Sequence, residues 1–152
     1  MSGGYIPASI ASKAEAIDFA KRTDSRTFCL KGDYWISASS RIKLDESSLH
    51  FRMHGQADCY FLYGYRVTAD EFADVVLSRN DFSGQSIVLV SCSVGDDRAS
   101  TPFAQLLANL LGVDVWAPTR TIWASGALMC NISDRAFEDD ESGFFKRFRS
   151  VL

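Results

Sequence analysis

The sequence predicts an α/β fold, a three-layer sandwich in which a mainly parallel central sheet is flanked by helices. From Ser48 onward the apolar patterns follow the order strand, helix, strand, helix, strand, which is typical of a parallel sheet with crossover helices. The run Ile87–Val90 is continuously apolar and rich in β-branched residues. That composition indicates a central strand covered on both faces.

Length and charge narrow the class of protein. The 152 residues suit a single domain, with a helical and β-rich lead-in over residues 1–47 and a core over residues 48–150. The chain carries 16 basic and 19 acidic residues, a net charge of −3 that gives no reason to expect a nucleic-acid partner. No apolar run approaches the roughly 20 residues of a membrane span, and the first residues lack the pattern of a signal peptide.

The lead-in is expected to begin with a helix over residues 8–22, in which Ile10, Ala14 and Ile17 fall on one helical face. The segment 23–25 is expected to end this helix. Three short strands are predicted after it, over residues 27–30, 34–37 and 41–44, because aromatic and β-branched residues lie there between turn residues.

The core is expected to begin with a strand over residues 48–53, whose residues alternate between apolar and polar, and which stops at His54-Gly55. A short strand over residues 59–63 follows. Thr68 and Glu71 have the spacing of a capping box, so a helix is expected to start there and to end near Asn80.

The second half of the core continues the alternation. A helix is predicted with Ser100 or Thr101 as its N-cap, Pro102 in its first turn and Gly112 after its end. The remaining predictions are a strand over residues 113–117 stopped by Pro118, a hairpin of residues 121–124 and 128–132, a loop over residues 139–143, and a basic-aromatic segment over residues 144–148.

Four cysteines, at positions 29, 59, 92 and 130, form no CxxC motif, and the chain has two histidines. This spacing gives no support for a metal site, and no cofactor is expected. Cys29, Cys59 and Cys130 are expected to be buried free thiols, as in proteins of a reducing compartment.

Cys92 differs from the other three cysteines because it lies just after the apolar strand Ile87–Val90, separated from it by Ser91. His54 lies in the same way at the end of the earlier strand. Reactive groups in parallel sheets gather at the carboxyl ends of the strands, so adjacent strands would bring imidazole and thiol to one crevice. His54 could then take the proton of Cys92, whose thiolate is the nucleophile. The backbone N–H groups of Gly55 and Cys92 are the expected oxyanion donors.

Other interpretations remain open from the residues alone. A cysteine at the end of a buried strand is commonly a small apolar filler, and a histidine before glycine is commonly a polar strand end. His50 is an alternative base. Asp58 is a candidate to orient His54. Asp96-Asp97 either bind a basic substrate side chain or form a solvated loop.

The order of these motifs resembles the caspase-like clan of cysteine peptidases, in which histidine-glycine closes one strand and a small residue followed by the nucleophilic cysteine closes the next. His54-Gly55 and Ser91-Cys92 match that signature. Over roughly residues 48–150 the chain resembles a CHAT-like domain of bacterial polymorphic toxins. The segments that carry this likeness are 54–55, 63–71, 89–95, 103–108, 111–119 and 145–148.

The resemblance implies a single caspase-like domain, a cysteine endopeptidase that acts as a toxin or effector through the His54–Cys92 dyad. The alternatives are a thiol-dependent deamidase or transglutaminase, or a catalytically inactive binding module. The expected partners are a protein or peptide substrate, an immunity protein and a secretion apparatus. The protein is expected in the bacterial cytoplasm before delivery by a dedicated system. The expected substrate pocket consists of Asp96, Asp97, Ala117, Pro118 and Thr119.

Overall fold

A computed structural model of the chain describes residues 6–40, 47–125, 129–132 and 145–151. In chain order the described elements are α1 (Lys13–Arg22), α2 (Tyr34–Ser40), β1 (Leu49–Arg52), β2 (His54–Gln56), β3 (Cys59–Leu62), β4 (Tyr65–Val67), α3 (Ala69–Ser78), β5 (Ile87–Val90), α4 (Phe103–Leu111), β6 (Val115–Pro118), β7 (Ile122–Ser125), β8 (Met129–Ile132) and β9 (Phe145–Phe148).

The central sheet is mostly parallel, and the protein is a mixed α/β fold, as the alternation of patterns predicts. Its four strands lie in the order β1-β5-β6-β9. β1 and β6 each pair in parallel with β5, while β9 closes the β6 edge in the antiparallel direction. All four residues of β5 are buried, as expected for a central strand.

The two faces of the central sheet are covered by different helices. Two successive crossovers step across the sheet in one direction, from β1 to β5 through α3 and from β5 to β6 through α4. Because such crossovers are right-handed, both helices lie on one face, where they pack against each other and α1 packs against α3. We call the apolar contacts on this side the main core.

The opposite face carries α2 and a smaller apolar group. We call this group the α2-face cluster; its buried members are Cys29, Trp35, Ala38, Val88, Val90 and Ile122. The alternation in β5 produces this division, since Val88 and Val90 belong to the α2-face cluster while Ile87 and Leu89 belong to the main core.

Capping explains where the helices begin and end. α1 starts later than the predicted 8–22, because the Ser12 hydroxyl accepts the Glu15 N–H at 3.2 Å. The predicted capping box at Thr68 is confirmed. α4 has Pro102 as its N-cap with no side-chain cap, so the predicted cap one or two residues earlier is wrong, whereas Gly112 ends this helix at φ 68° as expected.

The lead-in is less β-rich than expected. Residues 34–37 belong to the helix α2, although Trp35 and Ile36 favour strands, because the Asp33 carboxylate accepts the Trp35 N–H at 2.8 Å and starts a helical turn. The predicted strand over residues 27–30 is reduced to one bridge between Thr27 and Arg52. The predicted strand over residues 41–44 lies outside the described residues.

A second sheet begins where the first strand was expected to stop. His54 opens β2, which joins β3 and β4 in an antiparallel sheet of three strands. The predicted late hairpin is confirmed as β7 and β8. Pro118 is the last residue of β6 and does not lie beyond it. The predicted loop over residues 139–143 is outside the described residues.

Of the helices that the structure describes, none has the length and apolar character needed to cross a bilayer.

Candidate active site

His54 and Cys92 occupy matching positions beyond the ends of two adjacent parallel strands. In the register of β1 and β5, Arg52 and Val90 are the last pair. His54 lies two residues after Arg52, and Cys92 lies two residues after Val90. The pairing continues one residue beyond the strands, because the Met53 N–H donates to the Val90 carbonyl at 3.4 Å. The two predicted catalytic residues therefore start from neighbouring backbone positions at the carboxyl edge of the sheet.

Both side chains lie on the α2 face. Cys92 is half-buried and packs against the α2-face cluster. The centroid of the His54 ring lies 6.2 Å from that of Trp35, a member of this cluster, and 5.8 Å from that of Tyr34. The imidazole and the thiol therefore lie on the same side of the sheet.

Gly55 explains how β2 approaches the loop that carries Cys92. A Cβ atom at position 55 would lie 2.5 Å from Val94 Cγ1 and 3.1 Å from the Cβ of Ser91. The glycine is thus required by close packing, and it holds the residue after His54 against the residue before Cys92. The predicted role of the Gly55 and Cys92 N–H groups as oxyanion donors stays a prediction.

The His54 ring is held by Asp33, a residue that no sequence pattern singled out. Nε2 of His54 lies 2.8 Å from Oδ2 of Asp33. Because a carboxylate accepts hydrogen bonds, Nε2 carries the proton and Nδ1 keeps the lone pair that a general base needs. The second oxygen of Asp33 accepts the Trp35 N–H, so the carboxylate is itself fixed at the start of α2.

The prediction that Asp58 orients His54 is wrong. The β2–β3 turn carries Asp58 outward, where its carboxylate pairs with Arg66 at 2.8 Å. Asp33 could have been found by its position, since aspartate favours the residue before a helix. The prediction of a strand at residues 34–37 concealed that signal.

The surroundings of Cys92 favour the protonated thiol over the thiolate. Burial raises the pKa of the thiol, and its sulfur lies 4.0 Å from the Ile122 carbonyl oxygen. The pKa of the Tyr34 hydroxyl is raised first by partial burial and then by its nearness to Cys92 and Asp33. Nucleophilic use of Cys92 therefore requires a base to remove its proton.

The turn after Cys92 is tight and well anchored. Ser93 has a left-handed backbone, with φ 58°, which is uncommon for a residue other than glycine. Its N–H donates to the Arg120 carbonyl at 3.0 Å, and the Gly95 N–H donates to the Pro118 carbonyl at 2.9 Å. Backbone conformations of this kind cluster at active sites, ligand clamps and switch regions.

The acidic residues of the predicted substrate pocket are already paired. Asp96 bonds to Arg98 at 2.9 Å and to Arg120 at 3.3 Å, and Asp97 bonds to Arg120 at 3.0 Å. The Arg98 hydrogen bonds hold the pKa of Asp96 below its ordinary value. A basic substrate side chain would have to displace Arg120 before it could bind here.

The rest of the predicted pocket lies beneath the surface. Ala117, Pro118 and Thr119 are buried, and the first two contact the loop that follows Cys92. His50, the alternative base, pairs with Val88 inside β1. Four residues of strand, about 13 Å at the rise of an extended chain, separate His50 from His54 at the edge.

An open groove of about 680 Å³ lies beside Asp33 and Tyr34. It is bordered by Lys31, Asp33 and Tyr34, and by Ile6 and Ile36. The groove combines apolar walls with one cationic and one acidic side chain, and two of its lining residues, Asp33 and Tyr34, contact His54.

The described thiols differ in burial: Cys29 and Cys59 are buried, whereas Cys92 is half-buried. Cys29, Cys59 and Cys92 are free. The side chain of Cys130 lies outside the described residues. Cys29 is buried beside the Asp33–His54 pair, and its sulfur, a carboxylate oxygen and a ring nitrogen lie within 4.8 Å of one another.

The fold and this site define a mixed α/β domain with an Asp–His pair and a thiol on one face of the carboxyl edge of its sheet. The chain belongs to the family described as a domain of unknown function, DUF8616, whose model matches residues 23–140. That range includes Asp33, His54 and Cys92. Comparison with curated proteins finds no match, and comparison with solved structures finds none either.

Proposed function

We propose that the chain is a cysteine endopeptidase of caspase-like, CHAT-like type, with Cys92 as nucleophile and His54 as general base and acid. One observation carries the proposal: His54 and Cys92 follow the last paired residues of adjacent parallel strands by the same two residues, on the same face. The hydrogen bond from His54 to Asp33 supports it, because it leaves Nδ1 able to accept a proton.

In the proposed reaction, Nδ1 of His54 takes the Cys92 proton as the sulfur forms a bond to the scissile carbonyl carbon. The carbon–nitrogen bond then breaks, and the leaving amine receives the proton from His54. Water, deprotonated by the same nitrogen, hydrolyses the thioester and regenerates the thiol. Asp33 stabilises the imidazolium that forms in each half of the reaction.

The proposed substrate is a polypeptide. The groove beside Asp33 and Tyr34 is open to solvent and mostly apolar, so it offers a surface for a substrate side chain next to the residues that contact His54. The resemblance to CHAT-like domains adds the proposal that the protein acts as a bacterial toxin or effector. An immunity protein and a delivery apparatus would be its partners.

The test uses thiol labelling and toxicity together. Iodoacetamide should alkylate Cys92 faster than Cys29 or Cys59, and His54→Ala should slow this labelling by about 10²- to 10⁴-fold. Cys92→Ala and His54→Ala should abolish toxicity on expression in bacteria with the melting temperature nearly unchanged. His50→Ala is the matched control and should keep both labelling and toxicity.

Each alternative function predicts a different result in these experiments. Toxicity retained in Cys92→Ala would overturn the peptidase proposal and leave a binding module of the same fold. A mass increase of about 1 Da on a target glutamine, without chain cleavage, would identify a deamidase that uses the same pair. Loss of labelling in His50→Ala alone would identify His50 as the base.

A further inference from the structure

Three side chains with the chemistry of metal ligands meet at the start of α2. The Cys29 sulfur, an Asp33 carboxylate oxygen and a His54 ring nitrogen all lie within 4.8 Å of one another. They come from the segment before α2, from the residue that caps α2 and from the first residue of β2. The tertiary structure alone brings them together, since no spacing motif connects them.

The distances suit a small tetrahedral ion. Ligand atoms around Zn²⁺, at bond lengths of about 2.0 to 2.3 Å, lie about 3.3 to 3.7 Å from one another. The 2.8 Å between His54 Nε2 and Asp33 Oδ2 is slightly shorter than this, and 4.8 Å bounds the other separations. Small side-chain rotations would therefore admit the ion.

The donor set selects the class of metal. One thiolate, one imidazole and one carboxylate suit Zn²⁺ and its neighbours, whereas Mg²⁺ and Ca²⁺ prefer oxygen ligands only. Three protein ligands leave a fourth position for water. The Asp33 and His54 side chains are 23% and 37% exposed, so an ion can reach the site from solvent.

The surrounding contacts hold two of the ligands in place. The Asp33 oxygen that does not face His54 accepts the Trp35 N–H at 2.8 Å. Trp35 also lies against the His54 ring, and the His54 backbone N–H lies against the Cys29 sulfur. Such outer contacts orient ligands and strengthen metal binding.

We propose that Cys29, Asp33 and His54 bind Zn²⁺, and that the bound ion withdraws His54 from Cys92. On binding, the Cys29 S–H bond breaks, a sulfur–zinc bond forms and the proton passes to water. The proton on Nε2 of His54 gives way to the ion, and the neutral ring carries its proton on Nδ1. That nitrogen can then no longer accept the Cys92 proton. The inhibitory half of this proposal rests on the proposed function, whereas the metal site does not.

The metal site is tested with Co²⁺ on the reduced full chain, followed by displacement with Zn²⁺. One tetrahedral Co²⁺ per chain with a thiolate charge-transfer band is expected. Cys29→Ser should abolish the band, and Asp33→Asn should weaken affinity by at least about 10-fold, since loss of a direct ligand costs no less than loss of a group that only orients one. Cys59→Ser and Cys92→Ala are the matched controls and should keep the band. A band that persists in Cys29→Ser but disappears in Cys92→Ala would overturn the proposed ligand set.

The coupling to Cys92 is tested by alkylation with and without Zn²⁺. Zinc should slow the labelling of Cys92 at least about tenfold in the wild type and leave the rate in Cys29→Ser unchanged. Zinc that binds without changing the wild-type rate would overturn the inhibitory half and leave the metal site standing. Labelling that never depends on His54 would instead overturn the proposed function, and the Co²⁺ result would be unaffected.

Discussion

On one face of the central sheet, α1, α3 and α4 cover a continuous apolar core; on the other, α2 covers a small cluster that adjoins a carboxylate, an imidazole and two thiols. The first face contains a network of aromatic rings around Phe72, which contacts Phe28, Phe51, Tyr60 and Phe103. The second face is partly open to solvent at Asp33 and His54.

The main core therefore provides most of the folding stability, whereas the α2 face carries the reactive side chains. Burial of apolar area, at about 25 cal/mol per Å², accumulates on the face of the main core. The α2 face buries less, so it can present polar and reactive groups without a large loss of folding free energy. Substitutions on the two faces should therefore have opposite profiles of stability and activity.

The largest expected effect on stability is from Phe72→Ala. Removing a fully buried ring should lower the free energy of unfolding by about 3 to 5 kcal/mol, measured by urea denaturation. The activity of the protein that remains folded should be unchanged. Leu77→Ala in the same helix is the control, because that side chain is 60% exposed and should cost less than about 0.5 kcal/mol. Equal costs for the two variants would contradict the assignment of the main core.

Asp33→Asn should have the opposite effect to Phe72→Ala, a loss of activity with little change in stability. Asparagine can still accept the Trp35 N–H, so the melting temperature should remain close to that of the wild type. Its amide can donate to Nε2 of His54 and so move the ring proton to Nδ1, which should lower activity by about 10²- to 10⁴-fold. Steady-state rates across pH measure the effect, with Asp58→Asn as control. Full activity in Asp33→Asn would remove Asp33 from the mechanism.

Gly55→Ala tests the contact between β2 and the loop that carries Cys92. The added methyl group would overlap Val94 and should cost about 1 to 3 kcal/mol of unfolding free energy. Adding Val94→Ala removes the atom in closest contact, so the double variant should recover part of the loss. A double-mutant cycle by thermal denaturation measures this coupling. Strictly additive effects would mean that Gly55 is required for another reason.

The smallest expected effect is a loss of folding stability at alkaline pH that depends on the Cys29 thiol. Burial raises the pKa of the Cys29 thiol from 9.0 to about 12. The unfolded chain therefore loses this proton first, and the stabilisation, fully present below pH 9, is lost as pH rises toward 12. Between about pH 8 and about pH 10.5 the wild type should lose more stability than Cys29→Ala. Equal losses would show that Cys29 titrates normally.

Local sequence signals predicted several elements of the core. The apolar run Ile87–Val90, the Thr68 capping box and Gly112 after α4 each act within a few residues of chain, and the structure shows each as expected. The segment after Asp33 was misassigned because its aromatic and β-branched residues favour strands, while a single capping bond starts a helix.

Only part of the site was predicted, because local signals indicate elements and do not reveal contacts between residues that are distant in the chain. His54 and Cys92 follow recognisable strands, and their common edge could be predicted on the condition that these strands are adjacent, which the pairing of β1 with β5 shows. Cys29 carries no such signal, and the signal of Asp33, an aspartate before a helix, does not reveal its contact with His54, which arises when α2 docks on the sheet.

By itself the sequence determined the alternation of strands and helices, the mainly parallel character of the sheet and the positions of His54 and Cys92 shortly after two apolar strands, because periodicity and capping are properties of neighbouring residues. Only the tertiary structure decided which carboxylate holds the histidine and that Cys29 lies beside it. These contacts join residues about twenty positions apart, and packing of α2 against one face of the sheet selects them.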